Sequence, residues 1–167
     1  MANQKTIAML NSSDPAERRA ALDRLLKSED PDDRLKAMDE LGSSLAPNPR
    51  KIKLLLEGTR DSDARVVAAA LKGLKNIGAC NKETQERAQE LATGNNPAEV
   101  RRAAKELLME IHEHLMRKRE ELSSPHKCVR EWARETLEEA NWPTTPLARE
   151  AAERLEKKIV GANKVRQ

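Results

Sequence analysis

One pattern of apolar residues recurs three times along this chain of 167 residues. In each copy a valine, an alanine and a leucine stand four positions apart, which places them on one face of an α-helix. The copies are Val66, Ala70 and Leu74; Val100, Ala104 and Leu108; and Val129, Ala133 and Leu137. Helices repeated in this way bury their apolar faces against neighbouring copies, so the pattern predicts an all-α superhelix, or solenoid.

Several predicted helices begin with the same capping chemistry. In Asp14-Pro15-Ala16-Glu17 the aspartate is an N-cap acceptor, the proline suits the first helical position, and the glutamate complements the positive helix end. Asn96-Pro97-Ala98-Glu99 repeats this pattern, and partial versions occur at Asp30-Pro31, Asp61-Ser62-Asp63 and Ser124-Pro125. Prolines at these positions therefore mark helix starts and do not indicate disorder.

Short breaks rich in Gly, Pro, Asn and Ser set the bounds of the predicted helices. These helices span residues 3–11, 15–27, 31–45, 49–58, 62–77, 82–93, 97–121, 125–140 and 146–160. No segment alternates apolar and polar residues with period two, so no strand is predicted. We expect a domain of about four to five helical repeats over residues 1–143, followed by a capping helix and basic tail over 144–167.

The segment from Asp61 to Gly78 resembles a repeat of the HEAT family. It combines an acidic start, one copy of the apolar stripe, Ile77 and a closing glycine. The pairs Val100-Arg101 and Val129-Arg130 resemble the Val-Arg pair of the second helix in such repeats. The resemblance covers about residues 12–140 and implies a right-handed α-solenoid that binds other proteins or peptides.

The composition favours a helical protein with solvated outer faces. Charged residues make up 35% of the chain but nearly balance, at a net charge of +3, which does not demand a nucleic-acid partner. No apolar run is long enough to span a membrane, and the first residues lack the apolar core of a signal peptide. Cys80 and Cys128 do not form a disulfide framework, so we expect reduced thiols and a cytoplasmic location.

The sequence offers little support for an enzyme. HEAT-like deoxyhypusine hydroxylases build a di-iron site from several His-Glu pairs, whereas this chain has the single pair His112-Glu113, and we expect a solvent-facing His112. His126 and Cys128 lack the further ligands that zinc requires. We expect Cys80 to be exposed in a loop and Cys128 to be partly buried. We therefore expect no enzymatic activity, no cofactor and no metal.

One further enzymatic alternative comes from the phycobilin-lyase-like group, which is built on related repeats. Its repeats resemble the segment 61–78 in style. No residue pattern in this chain specifies a tetrapyrrole site. The alternative stays open, behind a binding function.

Arginines follow the predicted helix starts in register, and they have two interpretations. They are Arg18-Arg19, Arg34, Arg65, Arg101-Arg102 and Arg130. Stacked repeats would arrange some of them along one face, as a groove for an acidic peptide or a phosphate backbone. Alternatively, each arginine pairs with a carboxylate of the adjacent repeat and stabilises the stack.

The function that we predict is an adaptor that binds a protein or acidic peptide segment along the face lined by the second helices. The predicted contact residues are Arg19, Arg65, Arg101, Arg102, Arg130 and Trp132. Trp132 is interpreted either as an interface anchor or as a core-edge residue. Nucleic-acid binding through the same arginines and Arg117-Lys118-Arg119 is the second hypothesis, although without Tyr or Phe base stacking is weak.

Overall fold

A computed structural model describes residues 4–43 and 48–141, and these residues form helices and loops without a strand. The chain divides into two compact units, unit 1 over residues 1–77 and unit 2 over residues 78–167. The helices of unit 1 are α1 (Gln4–Leu10), α2 (Pro15–Leu26), α3 (Pro31–Gly42), α4 (Pro49–Gly58) and α5 (Ala64–Asn76). The helices described in unit 2 are α6 (Lys82–Thr93), α7 (Ala98–Glu121) and α8 (Lys127–Glu139). The all-α prediction is confirmed, whereas the predicted helix 146–160 and the predicted boundary at residue 143 lie outside the described residues.

Local capping explains most helix starts. The side chains of Asp14, Asp30, Asn48 and Asp63 each accept a hydrogen bond from the backbone N–H two residues later. A proline occupies the first turn of α2, α3 and α4, where its missing N–H costs nothing. These interactions satisfy donors that the helices cannot pair internally.

The predicted cap at Asn96 is wrong. Helix α7 begins at Ala98 with Pro97 at the N-cap position and no side-chain cap. Asn96 instead donates its side-chain amide to the backbone carbonyl of Leu91, at 3.1 Å, and so closes the loop after α6. The start of α8 also lacks a side-chain cap, because Ser124 Oγ accepts from the N–H of His126 outside the helix.

Helices α3 and α5 pack against each other at the centre of unit 1. Val66, Ala70 and Leu74 of α5 are completely buried, which confirms this copy of the apolar stripe. The helices come into close backbone contact at Gly42 and Gly73, where a Cβ atom added to Gly42 would lie 2.6 Å from the Cα atom of Gly73. Glycine at both positions therefore permits the backbone contact on which this packing depends.

Unit 2 packs α6 and α8 against the long helix α7. Its stripe, Val100, Ala104 and Leu108, is buried as predicted. The stripe of α8 is covered less completely, because only Ala133 is fully buried among its three members.

A buried glutamine joins the loop before α6 to the end of α8. The Gln85 side-chain amide donates to the carbonyl of Cys80, at 2.9 Å, and to that of Ala140, at 2.8 Å. One side chain thus joins the loop before α6 to the residue that follows α8.

Three side chains of unit 2 differ in solvent exposure from what the sequence predicted. His112 is buried at 3% exposure because α7 is covered on that face. Cys80 is half-buried and Cys128 is exposed. Gly78 adopts a φ of 68°, and the chain after it turns inward so that Ala79 is buried and Cys80 partly so.

Candidate functional site

The starts of α3 and α5 exchange ion pairs. Arg34 of α3 donates to both carboxylate oxygens of Asp61, at 2.7 and 3.0 Å. Arg65 of α5 returns the contact by donating to Asp32 of α3, at 3.0 Å, and also to Asp63. For these two arginines the structure therefore shows pairing between neighbouring helices, which is one of the two interpretations of the arginine series.

The two pairs differ in their access to solvent. The side chains of Arg34 and Asp61 are 17% and 12% exposed, whereas those of Arg65 and Asp32 are both about half exposed. Hydrogen bonding from Arg34 lowers the pKa of Asp61, and the hydrogen bond to Asp61 raises the pKa of Arg34. Since solvent screens the outer pair, the inner pair carries more of the stabilisation.

A second arginine contact recurs in three loops. The Nη1 atoms of Arg18, Arg34 and Arg130 each donate to the carbonyl of a serine six residues earlier, namely Ser12, Ser28 and Ser124. Each serine Oγ also accepts from the backbone N–H two residues after it. This serine–arginine contact holds Arg130, a predicted site residue, against its own loop, and the Ser-to-Arg spacing of six is the sequence signal for it.

A groove in unit 1 brings one predicted site residue together with others that the sequence analysis missed. It has a volume of about 250 Å³ and lies among α1, α2, the end of α3 and the start of α4. Its lining residues are Leu10, Arg18, Arg19, Leu22, Glu40, Leu41, Asn48, Arg50, Lys51 and Leu54. We call this site the basic groove, because leucines form its apolar part and four cationic side chains line it.

The four cationic side chains of the basic groove differ in their intramolecular contacts. Arg18 is held by the carbonyl of Ser12, and Arg50 forms a solvent-exposed ion pair with Asp23 at 3.6 Å. Among the described residues, Arg19 and Lys51 form no ion pair. An anionic group that enters the groove therefore meets two cations that hold no ion pair with another described residue.

Unit 2 contains the remaining predicted site residues. Arg101 and Arg102 are exposed on α7, and Arg102 lies 3.9 Å from Glu106 of the same helix. Trp132 on α8 is 58% exposed and is therefore not a core residue. Its ring covers the Lys118 ammonium, which lies 3.2 Å from the ring centroid in a cation–π contact.

The predicted basic cluster at residues 117–119 is divided by this contact. Lys118 is only 4% exposed and bonds to Glu121 at 2.8 Å, while Arg117 faces solvent. Lys118 is consequently not positioned to meet a phosphate backbone.

The titratable groups of unit 2 do not assemble into a metal centre within the described part of the chain. No group of three or more His, Cys, Asp and Glu residues there could hold a metal ion. Burial lowers the pKa of His112, and burial raises the pKa of the Cys80 thiol with a further contribution from Glu139. Within the same described residues, every helix is too short or too polar to cross a membrane.

Comparison with known proteins identifies the repeat type. The family model for HEAT repeats matches residues 19–109, which is more than half of the chain. The match starts at Arg19 and extends into α7, so it covers residues of both units. No match was found among curated proteins.

Proposed function

The chain belongs to the HEAT-repeat family, and on that basis we propose that it is a non-enzymatic adaptor that binds a segment of another protein. Helical repeats offer preformed surfaces, and a preformed surface lowers the ordering cost of binding. The proposal assigns the basic groove as the principal contact site.

The observation that carries this proposal is the combination of apolar and cationic surface in one groove. Leu22 and Leu54 are half-buried and leave apolar surface available inside it. Arg19 and Lys51 supply charges from two different helices. Apolar contact provides affinity and charge-assisted hydrogen bonds provide orientation, which together suit a polypeptide segment.

The other contact residues predicted from the sequence have unequal roles in the proposal. Arg101, Arg102 and Trp132 are exposed on unit 2, and we assign them as a separate contact surface of that unit. An exposed tryptophan is the residue type most often found at the energetic centre of an interface. Arg65 and Arg130 already hold intramolecular partners, so we assign them a smaller share of the binding energy.

The proposal is tested by affinity capture followed by cross-linking and mass spectrometry on lysate that is divided into nuclease-treated and untreated halves. Wild type is compared with the double variant Arg19→Glu, Lys51→Glu. The matched control is Lys53→Glu, Lys72→Glu, which changes the net charge equally at exposed positions outside the groove. Circular dichroism checks whether all three proteins are equally helical.

We expect discrete proteins to be retained by wild type and by the control and lost from the groove variant, with cross-links to α2 and α4. Equal retention by the groove variant and the control would show that the groove is not the contact site. Loss of all retained material on nuclease treatment would replace the adaptor function with nucleic-acid binding.

A further inference from the structure

We infer that the basic groove selects acidic segments in which carboxylates flank a leucine-type side chain. This inference rests on the proposed function, since it names the chemistry of the partner at the same site. It follows from the size of the groove, its apolar surface and the placement of its charges.

The size of the groove favours an anchoring side chain over a whole ligand. Its volume of about 250 Å³ falls below the 300–1,000 Å³ that is typical of pockets enclosing a small molecule. Leu10 and Leu41 are buried at 6% and 2% exposure, and Leu22 and Leu54 are half-buried. One or two aliphatic side chains of a longer segment match this apolar surface.

The charges determine what accompanies the anchor. Arg19 projects from α2 and Lys51 from the first turn of α4, so cations line the groove from two helices. A segment with carboxylates on both sides of its anchor would satisfy both cations. Arg18, held by Ser12, supplies a guanidinium that is already in place, which reduces the entropy lost on binding.

One carboxylate limits the acidity that the groove accepts. Glu40 is half-buried and is the one acidic residue among the described lining residues. It repels an uninterrupted acidic run. A nucleic acid is also a poor match, because its phosphates are evenly spaced and the described lining residues include no aromatic side chain for base stacking.

Fluorescence anisotropy with labelled synthetic peptides tests the inference. The probe is a short peptide with two leucines flanked by glutamates. Its comparison peptides replace every glutamate with glutamine, or every leucine with serine. A single-stranded DNA oligonucleotide of equal charge is the fourth probe, and Arg19→Gln and Lys51→Gln are compared with Lys53→Gln.

We expect the glutamate–leucine peptide to bind best, and each groove variant to weaken it about tenfold, as loss of one charge-assisted hydrogen bond implies. Lys53→Gln should leave its affinity unchanged. Removal of either the glutamates or the leucines should abolish most binding.

The inference would be overturned if the glutamine peptide bound as tightly as the glutamate–leucine peptide. It would also be overturned if the oligonucleotide bound more tightly than that peptide and its binding depended on Arg19 in the same way. Concentration-dependent dimers in sedimentation that dissociate in Arg19→Gln would do so too, since a second copy would then be the occupant. If retention of the captured proteins requires the groove but the acidic peptide does not bind, only the inferred chemistry of the partner segment is wrong. If neither requires it, the proposed function fails as well.

Discussion

Arg34 and Asp61 connect the starts of α3 and α5 through hydrogen bonds of 2.7 and 3.0 Å, although 27 residues separate them in the chain. The same guanidinium donates to the carbonyls of Ser28 and Glu29, each at 2.9 Å. One arginine therefore fixes the loop before α3 and the position of α5.

Loss of the less exposed ion pair, Arg34–Asp61, should cost more stability than loss of the more exposed pair, Arg65–Asp32. We expect Arg34→Ala to lower the free energy of unfolding by about 1–3 kcal/mol, because Asp61 and two loop carbonyls lose a charged donor. Arg65→Ala should cost less than about 1 kcal/mol, since its pair is half exposed. Urea unfolding followed by circular dichroism measures both, and equal losses would contradict the assignment.

The same pair should make stability depend on pH in the acid range. Hydrogen bonding from Arg34 holds the pKa of Asp61 below its unfolded value, which is about 3.9. The carboxylate therefore stabilises the fold above the unfolded pKa, and this contribution is lost as the pH falls through the lower, folded pKa. Asp61→Asn should be less stable than wild type at pH 7, and its stability should fall less between neutral pH and about pH 3.

Urea midpoints measured across that range provide the comparison for Asp61→Asn. Asp39→Asn, an exposed position on α3, is the control and should follow wild type. Parallel curves for wild type and Asp61→Asn would show that the ion pair has no share in the acid response.

The contact between Gly42 and Gly73 should tolerate no side chain. A Cβ atom on Gly73 would lie 2.7 Å from a methyl carbon of Leu55, and one on Gly42 would meet the backbone of Gly73. We expect Gly42→Ala to destabilise unit 1 by about 1–3 kcal/mol, because the new Cβ meets backbone that has no room to move. Gly73→Ala should cost less, because the end of the Leu55 side chain can shift, although alanine is the better helix former at both positions. Lys72→Ala, on the exposed side of α5, should be neutral or stabilising, and thermal unfolding of the three variants distinguishes these outcomes.

The two cysteines should differ in reactivity. Cys128 is exposed, whereas Cys80 is half-buried and burial raises the pKa of its thiol. Because the thiolate is the reacting form, an alkylating reagent near pH 7–8 should modify Cys128 faster than Cys80. Cys80→Ser and Cys128→Ser isolate each rate, and a faster reaction at Cys80 would contradict its described position.

Local chemistry made much of the helix pattern predictable. The N-caps Asp14 and Asp30 and the prolines after them act within the first helical turn, so neighbouring residues contain all the information needed. Asn96 has the same local pattern but bonds to Leu91 instead. A side chain with two available backbone partners cannot be assigned from spacing alone.

The candidate site was predictable only in part. Arg19 was identified from its position after a helix start, and it does line the basic groove. Lys51 was missed, because nothing near it in the sequence indicates that α4 begins beside α2. Trp132 kept two interpretations until its exposure and its contact with Lys118 showed that it lies outside the core.

The sequence by itself determined that the chain is helical, where most helices begin, and which face of α5 and α7 is buried. Capping and helical periodicity act between residues a few positions apart, so they can be recognised without the fold. Only the tertiary structure decided which arginines form ion pairs with Asp32 and Asp61 and which cations line an open groove. Those outcomes depend on which helices pack together, and packing joins residues whose separation along the chain carries no local signal.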